Sequence, residues 1–113
     1  MEIKTEDYSI YHQPETATVF MGGMLRLEGI DQYQSILDLL LNAAQQTSAF
    51  TLNLRELEFI NSSGISMLSM FAIQMRQKGS IQVTLLGSSK ILWQTKSLRN
   101  LQRLMPSLKL EYS

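Results

Sequence analysis

The run Leu52 to Ser66, LNLRELEFINSSGIS, constrains this chain most, because it sets a strand directly against the start of a helix. Leu52 and Leu54 alternate with Asn53 and Arg55 as a half-buried strand requires, and Leu57, Phe59 and Ile60 carry the apolar supply on to a turn at Asn61. Asn61, Ser62 and Ser63 bring short polar side chains of the kind that cap orphan backbone N–H groups, and Gly64 allows a tight bend. From Ile65 onward the apolar spacing is helical. A helix that opens on serines presents free N–H groups and the positive end of its dipole, which suits a phosphate.

The rest of the chain repeats the alternation of strand and helix. Tyr8 to His12 and Ala17 to Met21 read as paired strands around a Gln13-Pro14-Glu15 turn, and Gly22, Gly23 and Gly29 punctuate a short extended piece at Met24 to Leu27. Asp31 is the expected N-cap of a helix running to about Gln46, with Tyr33, Ile36, Leu37, Leu40 and Ala44 at helical spacing. A strand at Phe50 to Leu54, a helix from Ser63 to Lys78 closed by Gly79, and a strand from Ile81 to Leu86 ended by Gly87 follow. Ser88 and Ser89 are expected to cap a helix beginning near Lys90, whose stripe of Leu98, Leu101, Leu104 and Met105 stops before Pro106. Leu108 and Leu110 alternate with Ser107 and Lys109 as a last strand. This order gives an α/β fold over residues 1–113, a mixed and mostly parallel sheet of about four to six strands with about three or four helices. At 113 residues the chain suffices for one core.

Side-chain chemistry finds little footing. With no cysteine, thiolate catalysis and disulfides are excluded, and the one histidine, His12, sits in a strand as a surface or packing residue. No Ser-His-Asp order, metal-ligand cluster or phosphate-cradling glycine loop occurs, so no catalytic residue, metal or cofactor is assigned and the chain reads as a non-enzyme. Glu56 and Glu58 fall in a linker as solvated carboxylates, Trp93 reads as a packing anchor, and the seven methionines as core filler. No apolar run approaches the roughly 18 residues of a membrane span, and the polar start MEIKTEDYS is unlike a secretory signal, so a cytoplasmic protein without direct membrane insertion is expected. Net charge is zero, yet residues 1–60 hold nine acidic and three basic groups and residues 61–113 one acidic and seven basic, that is −6 against +6. The basic groups Arg76, Lys78, Lys90, Lys96, Arg99, Arg103 and Lys109 are dispersed without interleaved aromatics, which argues against nucleic acid.

Within the helix that follows Asn61, about 100° per residue places Leu68, Phe71, Ala72 and Met75 on one side, with Ile65 at its margin. Those residues should face the sheet. Ser62, Ser66, Ser69 and Ile73 share a second arc with Met70 at its edge, a strip of small polar and apolar groups suited to docking a partner.

Strand, short link and Asn61-Ser62-Ser63-Gly64 opening an apolar helix resemble the signature of the STAS domain, found in anti-sigma-factor antagonists and in the cytosolic tails of sulphate transporters. The resemblance covers most of the chain. It implies helices packed mainly on one side of the sheet, and a partner-switching role in which Ser62, with Ser63 the lesser candidate, is phosphorylated. It further implies a serine kinase that doubles as anti-sigma factor and a metal-dependent serine phosphatase as partners. Oligomeric state stays open. So do a constitutive scaffold or transporter accessory role and a small-ligand-binding module. Two positions depart from the family pattern: Asn61 stands for an acidic residue, and Ile65-Ser66 for a frequent Leu-Gly. An aspartate at position 61 is expected to keep the cap's hydrogen bond and to gain about 0.3–1 kcal/mol from the helix dipole.

Overall fold

Six strands lie side by side in the order in which they occur along the chain: β1 (Glu2–Lys4), β2 (Tyr8–Gln13), β3 (Thr18–Leu25), β4 (Ala49–Ile60), β5 (Gln82–Gly87) and β6 (Lys109–Tyr112). The computed structural model describes all 113 residues. β1, β2 and β3 pair antiparallel, joined between β2 and β3 by a 3₁₀ turn at Pro14–Thr16, and β3 through β6 pair parallel. Each parallel step carries one helix: α1 (Gln34–Gln45), α2 (Ser62–Lys78) and α3 (Leu92–Leu104). Because every step moves to the next strand in the same direction, the right-handed rule for such crossovers puts all three helices on one face.

Burial agrees with that geometry. Ile10, Val19, Met21, Leu52, Leu54, Val83 and Leu85 point under the helices and are buried, whereas Tyr11 and Phe20, opposite each other in register, are exposed on the bare face, their rings 6.4 Å apart. Against the sheet, α1 buries Ile36, Leu37, Leu40 and Ala44, and α2 buries Met67, Leu68, Phe71, Ala72 and Met75. From α3 come Leu98 and Leu101. The expected sheet-facing side of α2 is thus observed, and Gly79, at φ 69°, closes that helix with its N–H on Met75 O.

Several expectations are corrected. Strand β1 falls in the N-terminal stretch read only as polar; Ile3 between Glu2 and Lys4 supplies the alternation, with Ile10 as its partner. Asp31 caps nothing: Ile30–Tyr33 is a 3₁₀ turn, and α1 starts at Gln34 without a side-chain cap. Nor do Ser88 and Ser89 cap α3, which begins at Leu92; Ser88 Oγ accepts from Lys90 N and Ser89 Oγ donates to Ser113 O, stitching the turn instead. Finally, β4 runs to Ile60, so Glu56 and Glu58 lie in a strand, exposed.

That last extension positions the candidate site. Between Phe20/Gly22 and Gly23/Met24 of β3, β4 advances by one residue more, first from Asn53 to Glu56 and then from Leu57 to Phe59. Two bulges therefore break the alternation of β4 while the strand continues, and Asn53 Oδ1 accepts from Arg55 N across the first. Pairing with β5 ends at Asn53, so the next carbonyls of β4 on that side lack a strand partner. Side chains replace it: the buried Gln94 donates from Nε2 to both Leu54 O and Leu57 O and accepts at Oε1 from Ser88 N, while Trp93 Nε1 donates to Leu57 O at 2.9 Å. Arg55 Nε donates to Gly87 O.

Candidate functional site at the start of the second helix

Beyond its bulges β4 delivers Asn61 to the N-cap of α2 with extended backbone, φ −84° and ψ 177°. Its side chain holds three separate elements. Oδ1 accepts from Gly64 N at 3.0 Å and from the hydroxyl of Tyr33 at 2.7 Å, and Nδ2 donates to Leu27 O at 2.7 Å. The backbone N–H of Asn61 donates to Leu25 O, and its carbonyl accepts from Ile65 N. A backbone N–H can only donate and a carbonyl only accept, so the amide has one orientation that satisfies the network. Burial raises the Tyr33 hydroxyl above the usual phenol range, against a backbone hydrogen bond from Leu27, so the hydroxyl stays a donor to Asn61.

This geometry overturns the gain expected from an acid at position 61. A carboxylate could accept from Gly64 and Tyr33, but its second oxygen would face Leu27 O with no proton between them. The amide is required because one of its partners is an acceptor.

Gly64 is equally committed. A Cβ on it would meet the Ile60 side chain, and Tyr33 Oη at 2.8 Å, so the absence of a side chain lets α2 sit down on β4 and on the tyrosine. Here close approach demands glycine.

Ser62 and Ser63 are the first two residues of α2, one earlier than the spacing suggested. Ser62 is exposed and Ser63 half-buried; the side-chain cap is Asn61's. The N–H groups of Ser62 and Ser63 belong to the first turn, where no intrahelical acceptor precedes them, while Gly64 and Ile65 donate to Asn61. No acidic residue stands in that turn, and Arg76 and Lys78 occupy the last turn, so the helix field at Ser62 is unopposed by its own side chains. The expected strip is placed as follows: Ser66 and Met70 are exposed, Ile73 is half-buried, and Ser69 is half-buried with its hydroxyl turned back to Ile65 O at 3.0 Å. Ser62, Ser66 and Met70 are the open members.

Three further exposed apolar residues lie near the carboxyl ends of β3 and β4 that periodicity did not single out. Met24 and Phe59 are register partners at the ends of β3 and β4, and Ile30 opens the turn that carries Tyr33. They are 36%, 40% and 37% exposed, comparable with Met70 at 38%. Met24 and Phe59 form an apolar pair at the carboxyl ends of the parallel strands, where open α/β sheets commonly bind their ligands. Met24 and Phe59 are legible only once the bulges of β4 are known, because an unbroken alternation would not bring them side by side. Trp93 packs as expected, and His12 is buried. No helix is long and apolar enough to cross a membrane.

No protein-family model matches the sequence, and no curated protein matches it. Among solved structures the chain is similar to one in the crystal structure of the diguanylate cyclase SiaD in complex with its activator SiaC from Pseudomonas aeruginosa, at TM-score 0.74 and 13% identity, over 100% of this chain and 99% of that one. The length of the match identifies the activator as the counterpart. At that identity the likeness is one of fold, and the fold is STAS-like: a mixed, mostly parallel sheet with helices on one side.

Proposed function

We propose that this chain is a partner-switching regulatory domain that acts by binding other proteins, and that phosphorylation of Ser62 selects the partner. The observation that carries the reading is the division of labour at the start of α2: Asn61 supplies the cap and ties down three elements, while the exposed Ser62 beside it is left out of the cap. Phosphate on Ser62 would add about −1.5 to −2 charge at pH 7 beside free N–H groups and the positive helix end. The fold could accept it without rearrangement. Partner choice would then change through the surface, where Ser66, Met70 and Ile73 continue along the helix from the modified residue.

The resemblance to anti-sigma-factor antagonists supports a serine kinase with anti-sigma activity and a metal-dependent serine phosphatase as the partners. SiaC, of the same fold, is the activator of a diguanylate cyclase, so the regulated partner of this chain need not be a transcription factor's inhibitor. The constitutive scaffold remains the second reading, favoured by one observation: Asn61 in place of the acid leaves the motif structurally complete without any phosphate.

Peptide mapping by mass spectrometry of the chain recovered from its own cells tests the proposal. One phosphate on Ser62, absent from Ser62→Ala, together with a captured partner that Ser62→Asp releases, is the expected result. A chain that is unmodified under all growth conditions and binds the same partner as wild type, Ser62→Ala and Ser62→Asp would sink the switch in favour of the scaffold.

A further inference from the structure

Strand order turns the charge asymmetry of the sequence into an asymmetry in space. Residues 1–60, at −6, build β1 to β4 and α1; residues 61–113, at +6, build α2, α3, β5 and β6. Since the sheet runs β1-β2-β3-β4-β5-β6, these halves do not interleave, and the outer strands stand about 24 Å apart at roughly 4.8 Å per strand.

Each half concentrates its charge in a shaped surface. On the acidic side, Gly22 and Gly23 leave β3 without side chains, and Gly23 has to, since a Cβ there would stand 2.9 Å from Tyr8 Cα. The gap is an open trough of about 320 Å³ flanked by Glu6 and Asp7 of the β1–β2 turn and by Glu56 and Glu58 of β4, with Lys4 its one cation. These carboxylates do not converge into a group that could hold a metal ion. On the basic side, Lys96, Arg99 and Arg103 fall within about 60° on α3, and Leu92 falls inside the same arc. All four are exposed, Leu92 at 69%. α3 has no acidic residue, and Arg103 donates to the neutral Asn100 Oδ1.

We infer that the basic stripe of α3 docks into the acidic trough of a second copy of this chain. Both surfaces are present on one molecule of zero net charge, so like-sign repulsion between whole molecules does not oppose the contact. A ridge of long cationic side chains meets a trough made by missing side chains. Trough and stripe lie toward opposite edges of the sheet, so the contact is head-to-tail: a pair leaves one trough free on one copy and one stripe free on the other, and association continues beyond the dimer.

Sedimentation velocity of the full chain at 20 mM and 500 mM NaCl, over a hundredfold range of protein concentration, is the test. The expected result is a weight-average sedimentation coefficient that climbs with concentration at low salt and is flat at high salt, since the Debye length falls several-fold between them. Lys96→Glu/Arg99→Glu/Arg103→Glu and Glu6→Lys/Asp7→Lys/Glu56→Lys/Glu58→Lys should each remain monomeric at 20 mM NaCl. Mixed, they should associate, because the reversed trough meets the reversed stripe. Circular dichroism checks that these surface variants fold, and the salt dependence of the wild type tests the contact without them. Monomer at every concentration in 20 mM NaCl overturns the inference. Association that persists at 500 mM NaCl, or that the α3 variant retains, overturns it equally, by assigning the contact to apolar groups such as the bare-face pair Tyr11 and Phe20.

Discussion

Replacing Asn61 by aspartate removes a single donor from the junction of β3, β4, α1 and α2 while leaving its shape unchanged. The wild-type amide donates to Leu27 O at 2.7 Å and accepts from Gly64 N and Tyr33 Oη. In the variant the donor is gone, a half-buried carbonyl loses its partner, and two acceptors face each other, which costs about 1–3 kcal/mol before any relaxation. Removing a carboxylate from water at this half-buried position adds about 2–3 kcal/mol more. Against this, the helix dipole returns about 0.3–1 kcal/mol, and the two bonds to the ionised group strengthen by about 1 kcal/mol each. The balance is a loss of about 1–2 kcal/mol at pH 7.5, or roughly 4 °C in Tm per kcal/mol for a domain of this size.

The dependence on pH separates this account from a general weakening. Once protonated, the carboxyl introduced by Asn61→Asp can donate to Leu27 O and so restore the wild-type bond pattern, which raises its folded-state pKa above the unfolded value of about 3.9. The folded variant then holds more protons than the unfolded chain between those two values, and its stability relative to wild type falls as pH rises through that window. The penalty should be complete above the folded pKa and smallest near pH 4. Urea unfolding of wild type and variant at pH 4.5 and 7.5, followed by the fluorescence of Trp93, the one tryptophan, measures it. A variant as stable as wild type at pH 7.5, or a deficit unchanged at pH 4.5, would refute the assignment of Nδ2 to Leu27 O as the reason for asparagine.

Three further outcomes follow from the same contacts. Gln94→Leu should lose about 2–4 kcal/mol in urea unfolding, since it strands Leu54 O and Ser88 N and leaves Leu57 O to Trp93 alone, and it should shift the Trp93 emission. Gly64→Ala should cost about 1–3 kcal/mol by pressing on Ile60 and the Tyr33 hydroxyl, and Tyr33→Phe should recover part of that cost in a double-mutant cycle. Burial lowers the pKa of His12 below its ordinary 6.5, so wild-type stability should decline as pH drops through that range, while His12→Gln should lose this part of the slope in thermal melts.

How far the fold is legible in the sequence depends on whether the local pattern survives tertiary demands. The core side of α2 follows from spacing alone, and Leu68, Phe71, Ala72 and Met75 lie buried where helical periodicity puts them. The second half of β4 does not, because its two bulges shift the alternation at Arg55-Glu56 and again at Glu58-Phe59, and a strand read by period two ends at Leu54. Asp31 and the Ser88-Ser89 pair show a different limit: each is a good cap by residue type, and in each case the chain turns first and starts the helix two or three residues later. At the candidate site the motif residues and their helix start are visible, but the partners that give Asn61 its meaning, Tyr33 and Leu27, lie 28 and 34 residues away. No local pattern encodes such a contact.

Those long-range partners also determine what kind of switch the site could support. Asn61 binds the loop at Leu27, the turn at Tyr33 and the helix at Gly64 together, so the start of α2 is fixed whether or not Ser62 carries a phosphate. A phosphate placed on so rigid a platform has little structure to melt or order; its effect falls on whatever covers the surface. A partner that docks along Met70, Ser66 and Ser62, the open members of the helix strip, covers the serine, and it would have to strip water from a doubly charged group to do so. A partner that brings an arginine pair to the same point would gain charge-assisted hydrogen bonds there and nowhere else on the strip. Opposite preferences for the two states of one serine thus require no conformational change, only two partners whose side chains differ at the spot where they meet Ser62.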